Sequence, residues 1–183
     1  VNTMEYVTIA SIANAVDFGD LLQTGTDGVT FGSSVRGIYA GGSAGGSNHA
    51  YMEYITYSTL GNSIEIGDLT EACSGGTSGG NATRGIRMGG ITPSTVNTID
   101  FMTIASGGDA QDFGDLIYGG HRYGCSGTMG SPIRSICAGG FQDSNQDALQ
   151  YVTNSTTGNA IDFGNLTEVK YQFSGSTNGH GGL

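Results

Sequence analysis

Tryptophan, proline and charge are all scarce in this sequence. Among its 183 residues there is no tryptophan, there are two prolines, and 12% of the residues are charged, whereas 34 are glycine. Long amphipathic helices need a regular supply of charged, helix-forming residues, and glycine is unfavourable inside a helix. The composition therefore argues against helical bundles and favours many short β-strands joined by glycine-containing turns.

Basic residues are the scarcest charged group. Six lysines and arginines stand against 16 aspartates and glutamates, which gives a formal net charge of -10. Such a chain repels a phosphate backbone and has no basic patch with interleaved aromatic residues, so we expect no nucleic-acid partner. The sequence also lacks any run of 18 apolar residues, so we expect no membrane insertion.

Cysteine is present but too sparse and irregular to predict a site. Cys73, Cys125 and Cys137 are an odd number of cysteines, and their spacing matches no zinc-binding pattern. We expect free, buried or half-buried thiols and predict no disulfide. No metal site or cofactor is predicted.

A segment of about 20 residues occurs four times along the chain. The copies are residues 2–21, 50–69, 97–116 and 147–166, and each ends in Gly-Asp-Leu or Gly-Asn-Leu. These endings are separated by 48, 47 and 50 residues, and such a fixed period indicates a repeat architecture. We predict a single repeat domain, 1–183, with units 1–47, 48–94, 95–144 and 145–183.

Each copy has the pattern of a β-hairpin. Its first half alternates between two faces, as a strand does, and a short second strand leads to the glycine. Between them stands a triplet of residues that favours a tight reversal, at residues 13–15, 61–63, 108–110 and 158–160. A third motif follows in three units, RGIYAGG (36–42), RGIRMGG (84–90) and RSICAGG (134–140). We predict a short strand ending at its glycine pair.

The predicted fold class is all-β, because one such unit needs neighbours to cover its apolar surface. Two architectures satisfy this need. A kelch-like β-propeller of about four repeats, either closed in one chain or part of a larger or oligomer-completed ring, fits the period near 50 residues. A β-solenoid or prism is the alternative.

The most specific motifs are YVTIAS (residues 6–11), DFGDL (17–21 and 112–116) and RGIYAGG (36–42). With these motifs the chain resembles the kelch-like repeat proteins found among structural proteins of tailed phages, especially marine cyanophages. The resemblance covers almost the whole chain, and its closing SGSTNGHGGL (174–183) also looks like the way such proteins end. It implies a virion component such as a tail fibre, baseplate or head appendage, and a truncated N-terminal side.

The charged residues that recur with the repeat are interpreted as structural. We predict ion pairs between three arginines and four acids, namely Arg36, Arg84 and Arg134 with Asp17, Glu65, Asp112 and Asp162. Guanidinium groups can bridge carboxylates and carbonyls together. Paired carboxylates such as Asp17 and Asp20 also suit calcium or acid-base chemistry, but a catalytic pair is normally built once and these are copied in every unit.

Functional residues are expected where the repeat is broken. The third unit contains His121, Arg122 and Tyr123 in a longer segment, and the loops at 43–49, 91–96 and 141–146 differ from one another. Such loops carry function on repeat scaffolds, and tyrosine or arginine can stack on a sugar or anchor a protein.

The leading hypothesis is a non-enzymatic, homo-oligomeric virion module that binds a host-surface glycan or protein, or another virion protein. A cellular or secreted kelch-type interaction scaffold, with an extracellular location, is the alternative. A glycan-active propeller enzyme is the third hypothesis.

Overall fold

The computed structural model describes residues 1–118, 129–142 and 144–176. All regular structure in these ranges is β, which confirms the predicted all-β class. A helix long and apolar enough to cross a membrane is absent from them as well. The described residues form sixteen strands: β1 (Thr3–Tyr6), β2 (Val16–Asp20), β3 (Val29–Gly32), β4 (Arg36–Ala40), β5 (Ser43–Ala44), β6 (Ser47–Asn48), β7 (Tyr51–Thr56), β8 (Ile64–Asp68), β9 (Thr77–Gly80), β10 (Arg84–Thr92), β11 (Ser94–Thr103), β12 (Gln111–Asp115), β13 (Met129–Gly130), β14 (Arg134–Gln142), β15 (Ser144–Thr153) and β16 (Ile161–Asn165).

The strands form three four-stranded antiparallel sheets and two two-stranded hairpins. Sheet 1 has the order β3-β4-β7-β8, sheet 2 the order β9-β10-β11-β12, and sheet 3 the order β13-β14-β15-β16. The two-stranded hairpins are β1-β2 and β5-β6. In every sheet, the third motif of one sequence unit pairs with the hairpin of the next unit, as β4 pairs with β7. Within the described ranges no sheet closes on itself.

The hairpin of every repeat contains a β-bulge at the same place. In sheet 1 it lies between Met52 and Glu53, and in sheet 2 between Ile99 and Asp100. A bulge breaks the period of two, so both residues of each pair are buried. The simple alternation predicted from the sequence puts them on opposite faces, and the bulge is the physical reason for the difference.

The glycine pair ends a strand only in sheet 1, where β4 stops at Ala40. In sheets 2 and 3 the strand continues through the pair, and β10 reaches Thr92. Gly89 and Gly90 have φ of +66° and +125°, and the register shifts there. Two positive φ angles redirect the strand without ending its pairing. The β10-β11 hairpin therefore extends beyond the core as a loop arm.

The triplets predicted as tight turns lie after the actual chain reversal. In the first hairpin the turn is closed earlier, by Ser11 N–H donating to the Thr8 carbonyl at 3.1 Å. In sheet 1, Gly61 N–H donates to the Phe18 carbonyl of the preceding hairpin at 2.8 Å. We call residues 13–15, 61–63, 108–110 and 158–160 the docking triplets, because the last three each bind the preceding sheet or hairpin.

The core lies between successive sheets. One cluster joins Ile38 and Met52 of sheet 1 to Met102 of sheet 2 and to Ile104, which directly follows strand β11. A second cluster joins sheets 2 and 3 and includes Ile86, Phe113 and Val152. Because each sheet buries its apolar face against the next, stability depends on neighbours, as in other repeat proteins.

Candidate functional site

The site residues predicted from the broken repeat, His121, Arg122 and Tyr123, lie outside the described residues. Cys125 and His180 also lie outside them. The described part of the chain does include two of the variable loops, 43–49 and 91–96, and these loops meet.

Together these two loops line a recess of about 570 Å³ with both polar and apolar walls, which we call the loop-face recess. Strands β5 and β6 form one side, and the tip of the β10-β11 hairpin, with Thr92 and Pro93, forms the other. Asp27, Ala72 and Ser74 also line the recess. The sequence predicted that these loops carry function, but their convergence depends on the stacking of sheets 1 and 2.

Hydrogen bonds hold the walls of the recess in place. The Asn48 side-chain amide donates to the Ile91 carbonyl at 2.6 Å, and its oxygen accepts from the Ser74 hydroxyl at 3.0 Å. The backbones of Ser74 and Ile91 also exchange hydrogen bonds of 3.2 and 2.8 Å. Three chain segments are thereby fixed together, so a ligand that binds here meets a preorganised surface.

Asp27 brings both charge and backbone strain to the edge of the recess. Its φ is +58°, a left-handed conformation that aspartate tolerates better than most residues. The Asp27 carbonyl accepts from Gly75 N–H at 2.7 Å, which holds this conformation. The carboxylate is exposed, and Thr26 Oγ1 lies 3.5 Å from it. The recess therefore offers hydroxyl, amide and carboxylate groups to a polar ligand.

The recurring arginines join neighbouring sheets through carbonyl groups and aromatic rings. Arg36 stacks on Tyr54 at 4.5 Å, and its Nη1 donates to the carbonyls of Ile104 and Ala105 at 3.0 and 2.9 Å. Arg84 stacks on Phe101 at 4.2 Å and donates to the Asn154 carbonyl at 2.9 Å. Arg134 stacks on Tyr151 at 4.6 Å.

The acids predicted to pair with these arginines lie elsewhere. Asp17, Glu65, Asp112 and Asp162 are all exposed on the outermost strands. In sheets 1 to 3 the arginine begins a strand two positions away from the strand that carries the acid, which is about 9 Å by strand spacing. Asp17 lies in the separate hairpin β1-β2. Among the described residues these acids form no ion pair with the arginines. Asp162 accepts instead from Gly164 N–H at 3.1 Å.

A buried ion pair was missed by the sequence analysis. Arg87 contacts Asp100 through Nε at 3.1 Å and through Nη2, and it donates to the Gly89 carbonyl at 2.6 Å. Glu71 lies 3.5 Å from Arg87 Nη2. The signal was present, because Arg87 is a charged residue in a strand that has tyrosine or cysteine at the same place in the other units. These contacts stabilise the base of the loop arm.

A second cavity, of about 500 Å³, lies between hairpin β1-β2 and sheet 1. Met4 and Leu21 line it from the hairpin, and Phe31, Ile38 and Tyr54 line it from sheet 1. We call it the hairpin groove. The groove lies where the hairpin ends. Each four-stranded sheet has two further strands at the corresponding place, such as β3 and β4 in sheet 1, and the hairpin has none among the described residues.

Glu53 lies at the base of the hairpin groove and is almost completely buried. Its Oε2 accepts from Leu22 N–H at 2.7 Å and from the Ser63 hydroxyl. Its Oε1 has no hydrogen-bond partner among the described residues. A buried carboxylate oxygen is costly to leave unpaired, and this oxygen is closed to solvent.

No His, Cys, Asp or Glu cluster of three or more residues that would hold a metal occurs in the described part of the chain. No protein-family model matches the sequence, and no curated protein matches it either.

Proposed function

We propose that this chain is a non-enzymatic structural and adhesion module of a virion, which binds a host surface or a neighbouring virion protein. The sequence resemblance to phage structural proteins supports the virion. The binding role is supported by a single observation: two loops that differ between repeats, 43–49 and 91–96, converge on one preorganised recess. Variable loops on a repeated scaffold are where such proteins place their function.

The proposed scaffold is a kelch-like β-propeller. Sheets 1 to 3 are its complete blades, and hairpin β1-β2 is the outer half of another. Support comes from the chain-order packing of four-stranded antiparallel sheets and from contacts between their innermost strands. The Ser78 hydroxyl in β9, for example, donates to the Thr30 carbonyl in β3 at 2.7 Å. A propeller places the loops at one end of its blades together.

The chemistry of the recess favours a neutral, hydroxyl-rich ligand such as a host glycan. Ser43, Ser47, Asn48 and Thr92 supply hydroxyl and amide groups, and Asp27 supplies a carboxylate that accepts hydrogen bonds from sugar hydroxyls. Among the described residues that line the recess there is no lysine or arginine, and the chain as a whole carries a net charge of -10. An anionic ligand is therefore disfavoured.

Blocking the recess tests this proposal. Ser47 is exposed at the rim, and Ser47→Tyr fills the recess without removing a buried contact. We expect at least about tenfold weaker binding to host cells and to a neutral-glycan array, which corresponds to roughly 1.4 kcal/mol. Ser106→Tyr, at an exposed reversal far along the β11-β12 hairpin, is the matched control and retains wild-type binding.

Three outcomes count against the proposal. Equal binding by both variants removes the recess as the binding surface. Failure of the wild-type protein to bind any host surface, glycan or virion protein removes the adhesion role. Release of sugars from a bound polysaccharide by the wild-type protein contradicts a non-enzymatic module.

A further inference from the structure

Successive sheets are held together by the same hydrogen-bonded joint, which we call the stacking joint. The first and third residues of a docking triplet donate to two carbonyls in the outer strand of the preceding element. Its central side chain accepts from a backbone N–H of that strand. The first residues of the triplets form the bonds Gly61 N–Phe18 O 2.8 Å, Gly108 N–Ile66 O 2.8 Å and Gly158 N–Phe113 O 2.7 Å. The third residues form Ser63 N–Asp20 O 2.9 Å, Ala110 N–Asp68 O 2.7 Å and Ala160 N–Asp115 O 2.8 Å. The central side chains accept in Asp20 N–Asn62 Oδ1 3.0 Å, Asp68 N–Asp109 Oδ1 3.1 Å and Asp115 N–Asn159 Oδ1 3.1 Å.

A glycine at the centre of each joint lets two backbones approach. A Cβ on Gly19 would lie 2.3 Å from the Gly61 carbonyl oxygen, and a Cβ on Gly67 would lie 2.4 Å from that of Gly108. The outer strand of sheet 3 has the same glycine, Gly164, with φ of +130°. Among the residues that the structure describes, nothing lies within 4 Å of its Cβ position. Within those ranges, sheet 3 thus has one complete half of a stacking joint with no second half on it.

The other half of a joint lies unused at the opposite end of the chain. The docking triplet of the first hairpin, residues 13–15, is exposed. Ile9 is 99% exposed and Val7 57%, whereas their repeat equivalents in sheet 2, Ile104 and Met102, are 1% and 2% exposed. The first hairpin therefore exposes apolar residues whose equivalents in sheet 2 lie in the core.

Arg134 in sheet 3 also lacks, among the described residues, a contact that Arg36 and Arg84 make. Arg36 and Arg84 each donate to carbonyls at the end of the first hairpin strand of the next sheet. In the described part of the chain Arg134 stacks on Tyr151, but no carbonyl accepts from its guanidinium. By repeat position the missing acceptors are the carbonyls of Ile9 and Ala10.

We propose that these two ends bind each other between copies of this chain. The docking triplet of one copy, Ala13-Asn14-Ala15, docks on β16 of the next copy. The N–H groups of Ala13 and Ala15 donate to the Phe163 and Asn165 carbonyls. A second copy is the occupant because the chain has both complementary surfaces and does not bring them together. Such a head-to-tail contact is heterologous, so it closes a ring or builds a filament.

The segment after β16 brings the hairpin groove into the same interface. Its path repeats the one that leads from sheet 1 to sheet 2: Gly140 N–H donates to the Lys170 carbonyl at 2.8 Å, as Gly42 N–H donates to that of Cys73 at 2.8 Å. Gln172 has a φ of +55° where Gly75 has +72°. The last described residues, 174–176, correspond by spacing to residues 77–79 of β9, the innermost strand of sheet 2.

In sheet 2, the place that corresponds to the hairpin groove is covered by the innermost strand of the preceding sheet, β3. Gly85 is covered by Phe31 of the preceding inner strand, whose ring lies 2.0 Å from a Cβ built there. Gly37, the equivalent of Gly85, lines the hairpin groove instead. By the same repeat position, residues 174–176 of a second copy lie over the hairpin groove.

The mass of the full chain in solution tests the proposal. We expect wild-type protein to form oligomers that are multiples of the 18.7 kDa chain by light scattering. Because each chain carries a net charge of -10, added salt strengthens the association by screening repulsion. Ile9→Glu at the head and Phe163→Glu at the tail, both on exposed side chains, each give monomers. Ile64→Glu is the control and leaves the oligomer intact, because Ile64 is 57% exposed in a sheet that already has both neighbours.

Mixing the two blocked variants separates a head-to-tail contact from a symmetric one. Ile9→Glu retains a tail and Phe163→Glu retains a head, so an equimolar mixture forms dimers of twice the chain mass and nothing larger. Wild-type protein that stays monomeric at about 100 μM overturns the proposal, because self-association that weak is far below that of a specific assembly. So does an Ile9→Glu variant with the wild-type mass, or a mixture that stays monomeric while wild-type protein assembles.

Discussion

Arg87 and Asp100 lie directly opposite each other in the neighbouring strands β10 and β11, and they form an almost fully buried ion pair. The same two positions hold Tyr39 and Glu53 in sheet 1 and Cys137 and Gln150 in sheet 3. The second member of each pair keeps a side-chain oxygen that accepts a hydrogen bond from the preceding element. Each of the three sheets therefore has an acceptor at this bulge, whereas the residue opposite it in the neighbouring strand differs from sheet to sheet.

Removing one charge of this pair is expected to be costly. Arg87→Met leaves the Asp100 carboxylate buried without its cation, which destabilises the protein by about 3–5 kcal/mol. The double variant Arg87→Cys with Asp100→Gln recreates the pair found in sheet 3 and recovers most of that loss. Urea unfolding of the three proteins measures both effects. A double variant as unstable as the single one shows that sheet 2 depends on the ion pair itself.

Cys73 is expected to make stability fall in alkaline solution. Burial raises the pKa of its thiol from 9.0 to about 11, although Arg87 opposes the shift. The native state therefore holds this proton more tightly than the unfolded state does. Its contribution is complete below pH 9 and is lost as the pH rises towards 11, by roughly 3 kcal/mol in total.

Comparison of wild-type protein with Cys73→Ala isolates this effect. Burial also raises the pKa of Tyr39 and Tyr51, so both proteins lose stability at high pH. The free energy of unfolding, measured from pH 8 to pH 11, falls more steeply for wild-type protein. Parallel curves contradict the role of Cys73.

The second and third arginines of the series, Arg84 and Arg134, are expected to differ in the monomer. In an Ile9→Glu background, Arg84→Ala loses both the stack on Phe101 and the hydrogen bond to the Asn154 carbonyl. The expected cost is about 1–3 kcal/mol. Arg134→Ala loses only its exposed stack on Tyr151 and costs less. Equal losses by thermal or urea unfolding contradict a role of the hydrogen bond in joining sheets.

The sequence predicts the strands of this fold better than their partners. Alternation and the Gly-Asp-Leu endings locate the hairpin strands, and the arginine motif locates β4, β10 and β14. The period alone does not tell which strands share a sheet, because a repeat has no unique starting point. Hence the pairing of β4 with β7, across two sequence units, came only from the structure.

Two features of the site escape sequence reasoning for identifiable physical reasons. Strict alternation places Glu53 on the face opposite Met52, but the bulge breaks the alternation and the Glu53 carboxylate is buried. The docking triplet at 61–63 has the composition of a turn, yet its residues are used for backbone hydrogen bonds to the previous element. Glycine and asparagine suit both roles, and only packing distinguishes them. The loops 43–49 and 91–96 differ in sequence between units, but that they meet follows only from the stacking of the sheets.

Gly67 and Gly164 provide a matched test of the stacking joint. Both have positive φ, +144° and +130°, so alanine at either position strains the backbone by about 1–3 kcal/mol. At Gly67 the new Cβ also collides with the carbonyl oxygen of Gly108, 2.4 Å away, whereas at Gly164 it meets none of the described residues. In the monomeric Ile9→Glu background, Gly67→Ala is therefore expected to lose clearly more stability than Gly164→Ala in urea unfolding. With Ile9 intact, Gly164→Ala places its methyl group where the second copy docks, and the oligomer dissociates at higher protein concentration than wild type. Equal destabilisation in the monomer contradicts the steric role of the joint, and an unchanged oligomer contradicts its use between copies.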